Sequence, residues 1–188
     1  MNNLIGIFEL AIGRISGFGR FAASSRAFMV SLAALMCVPA FMALVVAGRA
    51  GLDTALTALL AIFCALLVPP VVSHALARLW DREAWWLRFV IAYNYSRIAV
   101  VGIYAALLMV AAILLSLRMP RMAVSGVIQT VMLVYTLWFD WFLLRTGLQL
   151  SAARAAMGVL ALNVATFILV FGPLLLAIAL GADGGAFN

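Results

Sequence analysis

Arg97 and Asp140 stand where ionised side chains are costly. Arg97 lies in AYNYSRIAVVG (residues 92–102), inside an apolar run long enough to cross a bilayer, and Asp140 lies near the end of another. An Arg or Asp at the centre of a membrane helix costs about 2.5–3.5 kcal/mol on the insertion scale, and the usual remedy is a partner of opposite charge. Arg97 is nine residues past Arg88, and Asp140 is five residues before Arg145. At the rise of an α-helix these offsets are roughly 13 Å and roughly 7–8 Å of depth. The two runs cross in opposite directions, so both charges fall in the same half of the bilayer, and a long Arg side chain covers the difference. The spacing predicts an Arg97–Asp140 ion pair.

Other polar residues fall at a similar level. His74 ends the second apolar run on the same side, and Asn94, three residues before Arg97, shares a helix face with it. Gln129, Thr136 and Asp140 form a stripe on the fourth run, and Asn163 and Thr166 share a face of the fifth. Tyr93 and Tyr104 flank Arg97 on its own stripe. The predicted polar cluster is therefore His74, Asn94, Arg97, Gln129, Thr136, Asp140 and Asn163. Two chemistries suit it. One is a cavity that binds a lipid headgroup, a quinone, a small solute or a proton. The other is interhelical glue, in which each hydrogen bond contributes about 0.6 kcal/mol on average. Pro69 and Pro70 remove two backbone donors from the second run, which predicts a kink or break there. Such breaks occur at transporter binding sites and also as plain packing kinks.

No catalytic residue emerges from the sequence. AVSGV around Ser125 lacks the first glycine of a G-x-S-x-G elbow, and neither an H-E-x-x-H motif nor a Walker loop is present. Cys37, Cys64 and His74, the only cysteines and histidine, cannot build a zinc or iron–sulfur site. A haem would normally want two strong axial ligands, and His74 stands alone. The expectation is a protein that is not an enzyme and holds no metal or cofactor.

The elements that must position these residues follow from composition. The chain is 68% hydrophobic and 10% charged, where a soluble domain has about 25% charged residues. This is the signature of an all-α membrane protein. The predicted bundle occupies residues 26–181, with five spans at about 27–48, 54–77, 89–117, 122–144 and 155–180. Short links such as RAGLD and RMPR require antiparallel neighbours. Residues 1–25 read as an N-terminal interfacial amphipathic helix rather than a signal peptide, with Leu4, Phe8, Ala11, Ile15 and Phe18 on one side and Glu9, Ser16 and Arg20 opposite. Gly6, Gly13, Gly17 and Gly19 weaken that helix by about 1 kcal/mol each relative to alanine. Residues 182–188 read as a short external tail.

The net charge is +6 and every basic residue is arginine. The arginines sit between apolar blocks, so topology and anionic lipid explain them better than nucleic acid does. Eight arginines collect on one side (Arg14, Arg20, Arg26, Arg78, Arg82, Arg88, Arg145 and Arg154) and three on the other (Arg49, Arg118 and Arg121). The positive-inside rule then places the N-terminus in the cytoplasm and the C-terminus outside. Trp80, Trp85, Trp86, Trp138 and Trp141 all fall near the cytoplasmic boundary as an aromatic belt, and RLWDREAWWLR reads as a short interfacial helix.

This layout resembles the Yip1-domain family of small five-helix membrane proteins. The likeness covers residues 26–181. It rests on the N-terminal segment, the five closely spaced spans and the linker ALARLWDREAWWLRFVIAYNYS leading into the third. The tyrosine- and glycine-rich motifs of eukaryotic members are absent. The resemblance implies a non-enzymatic, lipid-embedded protein that associates with other membrane proteins, and it assigns no catalytic residues. With the Ala-rich, all-Arg usage of a GC-rich bacterial genome, the expectation is a scaffold or accessory subunit of a bacterial inner membrane. Its partners are membrane lipids and a membrane protein or a second copy of itself. The alternative is a small transporter or lipid-handling protein that works through the polar cluster.

Overall fold

Long runs of Leu, Ala, Val and Ile with few interior breakers wind into helices, because in lipid every backbone polar group must be satisfied within its own segment. The computed structural model describes residues 2–179. The predicted 182–188 tail lies outside the described residues. The elements are α1 (Asn2–Ala11), a 3-10 helix (Ile15–Arg20), α2 (Ser25–Ala50), α3 (Leu52–Leu79), α4 (Glu83–Ser116), α5 (Arg121–Gly147) and α6 (Ala152–Ala179). The described chain has no strand. Among the described residues four stretches are long and apolar enough to cross a membrane: Ile62–Leu79 of α3, all of α4, all of α5 and Ala152–Gly172 of α6. In α2 the described apolar stretch is the shorter Ser25–Cys37. By length and composition the chain is a multi-pass membrane protein.

The helices pack as a ring. α2 touches α3, α3 touches α6, α6 touches α5, α5 touches α4, and α4 returns to α2, while α3 and α4 also meet across the ring. The tightest packing lies toward the end that carries the tryptophans. There Phe89, Ile91, Phe139, Leu143, Leu144 and Leu148 are almost fully buried. Toward the other end Met109, Ile113, Met122 and Leu133 are exposed and form apolar outer faces.

Four helix ends close in the same way. The chain turns through a left-handed residue at Gly13, Asp81, Arg118 and Gln149. The next N–H then reaches back: Arg14 to the Glu9 carbonyl, Arg82 to Ala77, Met119 to Leu114 and Leu150 to Arg145. This satisfies helix-terminal carbonyls that would otherwise be stranded. The turn at Asp81 corrects the expected interfacial helix at RLWDREAWWLR. Its first residues end α3, and Glu83 starts an α4 of 34 residues that continues into the third predicted span. Pro69 and Pro70 lie inside α3, which is helical from Leu52 to Leu79, so of the expected kink or break the helix does not break.

The N-terminal segment folds back on itself and docks against α4 and α5. Arg20 and Ser16 both donate to the Glu9 carboxylate. Leu10, Phe18 and Phe21 enter the core, and the Tyr135 hydroxyl on α5 donates to the Ala11 carbonyl at 3.1 Å. The predicted single apolar face is corrected here. Leu4, Phe8 and Ile15 point outward while Phe18 is buried. The left-handed turn at Gly13 and the tighter winding of the 3-10 helix break the α-helical phase on which that face relied.

The Arg20 guanidinium hydrogen-bonded to Glu9 holds the Glu9 carboxyl below its ordinary value of 4.5. A carboxylate with a lowered folded-state pKa contributes stability above its unfolded value, and that contribution fades as pH falls through the folded value. Acidification below about pH 4 is therefore expected to loosen the N-terminal fold-back. Limited proteolysis between residues 1 and 24 across pH 6 to 3, with an acid-stable protease, checks this. Glu9→Gln should already be loose at pH 6 and should lose the pH dependence.

Candidate functional site

Arg97 and Asp140 meet between α4 and α5. One guanidinium nitrogen of Arg97, Nη2, donates to Asp140 Oδ1 at 2.6 Å and also to the Tyr93 hydroxyl. Tyr93 is one helical turn before Arg97, which places its ring beneath the guanidinium, 4.3 Å from ring centroid to Cζ. The Asp140 side chain is 7% exposed and the Arg97 side chain 23%. A charge pair buried to this degree holds only if each partner remains with the other, because removing one leaves an uncompensated charge.

The pair forms one wall of a cavity of about 270 Å³ between α3, α4, α5 and α6. Tyr93 and Arg97 contribute from α4, and Thr136 and Asp140 from α5. Leu162, Asn163 and Thr166 contribute from α6, and Ala65, Leu66 and Pro69 from α3. Three of the polar side chains have donated protons to their own helices: Thr136 to Met132 at 2.7 Å, Asn163 to Val159 at 2.8 Å and Thr166 to Leu162 at 2.8 Å. Their oxygens keep free lone pairs.

Of the seven residues in the predicted cluster, Arg97, Thr136, Asp140 and Asn163 line this cavity. The other three do not, which corrects the single cluster. Asn94 is fully buried toward α2, where its Nδ2 donates to Ser31 Oγ at 3.1 Å and its Oδ1 has no partner. Residues three apart on a helix differ by about 60° around its axis, and in this ring that angle separates the α2 side of α4 from the α5 side. His74 packs against the Trp86 ring at 4.6 Å between centroids. Gln129 and Tyr104 line a separate cavity of about 390 Å³ between α4 and α5, alongside Arg121. Gln129 is seven residues from Thr136, about 10 Å along the helix, which is too far to join the same site.

The tryptophans divide in a similar way. Trp85 and Trp138 are the more exposed. Trp141 donates to the Ala152 carbonyl at the start of α6. Trp86 turns inward, donates to Ser73 Oγ at 3.1 Å and packs on Phe28, so it ties α4 to α2 and α3 rather than serving only as a belt residue. Ser31 and Ser73 carry these inter-helix bonds. Nothing in their local sequence marks them, since serine inside an apolar helix reads as filler.

Among the described residues no three His, Cys, Asp or Glu side chains come together. The cavity offers hydrogen bonding and charge, with Arg97 as donor and Asp140, Thr136, Thr166 and Asn163 as acceptors. Comparison with family models, with curated proteins and with solved structures returns no match.

Proposed function

We propose that this chain is a non-enzymatic membrane protein of five spans, with α2 as the first, that binds a small polar solute within the bilayer. The cavity beside the Arg97–Asp140 pair carries this reading. An ion pair that served only to lock helices would be packed against side chains. Here a space of about 270 Å³ adjoins it, lined by the apolar Ala65, Leu66, Pro69 and Leu162 and by Tyr93, Arg97, Asp140, Asn163 and two threonines. Lipid chains offer nothing to the unspent acceptors of this wall, which favours water or a polar ligand there. The eight-to-three distribution of arginines supports a cytoplasmic N-terminus, and with it access from the cytoplasmic half. The Yip1-like layout supports the non-enzymatic part of the reading. An accessory-subunit role keeps one observation of its own: Gln129 is exposed in the outer α4–α5 groove, where a neighbouring membrane protein or a second copy could receive its amide.

Native mass spectrometry of protein released gently from its own membrane tests the proposal. The wild type should carry a small molecule at near one per chain, and Arg97→Leu with Asp140→Leu should lose it. If both proteins emerge with the same stoichiometric protein partner and no small molecule, the scaffold reading replaces this one.

A further inference from the structure

The α3 wall of the cavity is built by the residues around two prolines. In an uninterrupted α-helix the N–H of residue 69 would bond to the Ala65 carbonyl and that of residue 70 to the Leu66 carbonyl. Pro69 and Pro70 have no N–H, yet α3 continues through them. Both carbonyls therefore lack their helical donor. Ala65, Leu66 and Pro69 all line the cavity that holds Arg97 and Asp140, so residues of the interrupted ladder border this site. Among the described residues no side chain supplies the missing bonds. The hydroxyls and amide across the cavity give protons to Met132, Val159 and Leu162 instead.

A proton inventory of the site shows which ligand chemistry it favours. The acceptors of the lining side chains are Thr136 Oγ1, Thr166 Oγ1, Asn163 Oδ1 and the second oxygen of Asp140, beside the Ala65 and Leu66 carbonyls that the prolines relieve of their i+4 donors. The unspent donors are the remaining N–H groups of Arg97, the Tyr93 hydroxyl and one N–H of Asn163. Charge at the site sums to zero, because Arg97 and Asp140 cancel. An ion entering would leave a net buried charge, which this environment penalises heavily. The volume holds about nine waters at roughly 30 Å³ each, or a solute of a few heavy atoms with some water.

We infer that the Pro69–Pro70 pair is a binding element: it presents the Ala65 and Leu66 carbonyls to a small neutral solute rich in N–H donors, of the class of urea and short primary amides. The solute's own carbonyl faces Arg97 and Tyr93, and its N–H groups face the carbonyl, hydroxyl and carboxylate oxygens. The inference rests on the solute-binding reading and adds the ligand's class and the role of the prolines.

Saturation-transfer NMR on the full chain in nanodiscs tests it, with acetamide as the probe and N,N-dimethylacetamide as its donor-free counterpart. The wild type should bind acetamide and not the dimethyl compound. Pro69→Ala with Pro70→Ala restores both backbone donors and, alanine being smaller than proline, does not narrow the cavity. That variant should bind acetamide roughly tenfold more weakly, as expected for losing two modest hydrogen bonds. It should also be at least as heat-stable as the wild type, since proline inside a helix is unfavourable. Equal acetamide binding by wild type and the proline variant would overturn the role of the carbonyls, and equal binding of the dimethyl compound would overturn the ligand class. In both of those cases loss of binding in Arg97→Leu with Asp140→Leu leaves the solute-binding reading standing. A wild type that binds neither compound overturns this inference, and if native mass spectrometry also finds the wild type empty, the parent reading falls with it.

Discussion

Asp140→Leu alone is expected to lower stability by about 3–5 kcal/mol, the usual cost of removing one member of a buried pair. Arg97 would be left without its carboxylate partner. Tyr93 would then be its only described partner, through the hydroxyl and the ring face. Arg97→Leu alone should be damaging by the same logic, since Asp140 is 7% exposed and has no other described side-chain donor. The double leucine variant is expected to return close to wild-type stability, because a buried ion pair replaced by apolar residues of similar volume is often neutral or better. The measurement is the folded fraction of each variant after extraction in mild detergent, followed by a denaturant titration of the survivors. Recovery in the double variant would establish energetic coupling across the 2.6 Å contact. If the single variants cost below about 1 kcal/mol, the range of solvated surface pairs, the pair is hydrated from the cavity. If the double variant is as damaged as the worse single one, the two residues are coupled to different groups and the pair is not the unit that matters.

Two glycines carry the second large effect, and they separate the bundle from its N-terminal attachment. At Gly147 a Cβ would lie 2.7 Å from Phe89 Cδ2 and 2.9 Å from Phe18 Cε1. Phe89 is almost fully buried in α4 and has little room to move. Gly147→Ala is expected to cost about 1–3 kcal/mol by overpacking. The better helix propensity of alanine, about 1 kcal/mol, offsets part of that at most. At Gly17 the obstacle is backbone: a Cβ would lie 2.7 Å from the Gly6 carbonyl oxygen and 2.7 Å from Leu10 Cγ. Relief there requires α1 to lift away from the 3-10 helix. Gly17→Ala should leave the transition of the bundle near that of the wild type and expose residues 1–24 to protease. Gly147→Ala should shift the transition of the whole protein. Equal and small effects of both would mean that the N-terminal segment does not share the core through Phe18.

What could be read in one dimension was legible in the chain alone. Hydropathy gave the helical class and the positions of α3 to α6, because spans in lipid must be apolar and self-bonded. Counting residues from Arg88 and Arg145 put Arg97 and Asp140 at compatible depths, because helical rise is nearly constant. Rotation about each helix axis was not legible, since no local pattern states which neighbour a face meets. The ring order α2, α3, α6, α5, α4 decided that Asn94 turns to Ser31, that His74 lies on Trp86, and that Thr136 and Asn163 join the ion pair. The phase of the N-terminal segment was hidden for a related reason: a left-handed turn at Gly13 and a 3-10 winding move Phe18 from the expected outer face into the core. The prolines show the same division. Their chemistry guarantees two missing donors wherever they sit in a helix, but only packing decided that α3 would continue through them and border the site of Arg97 and Asp140.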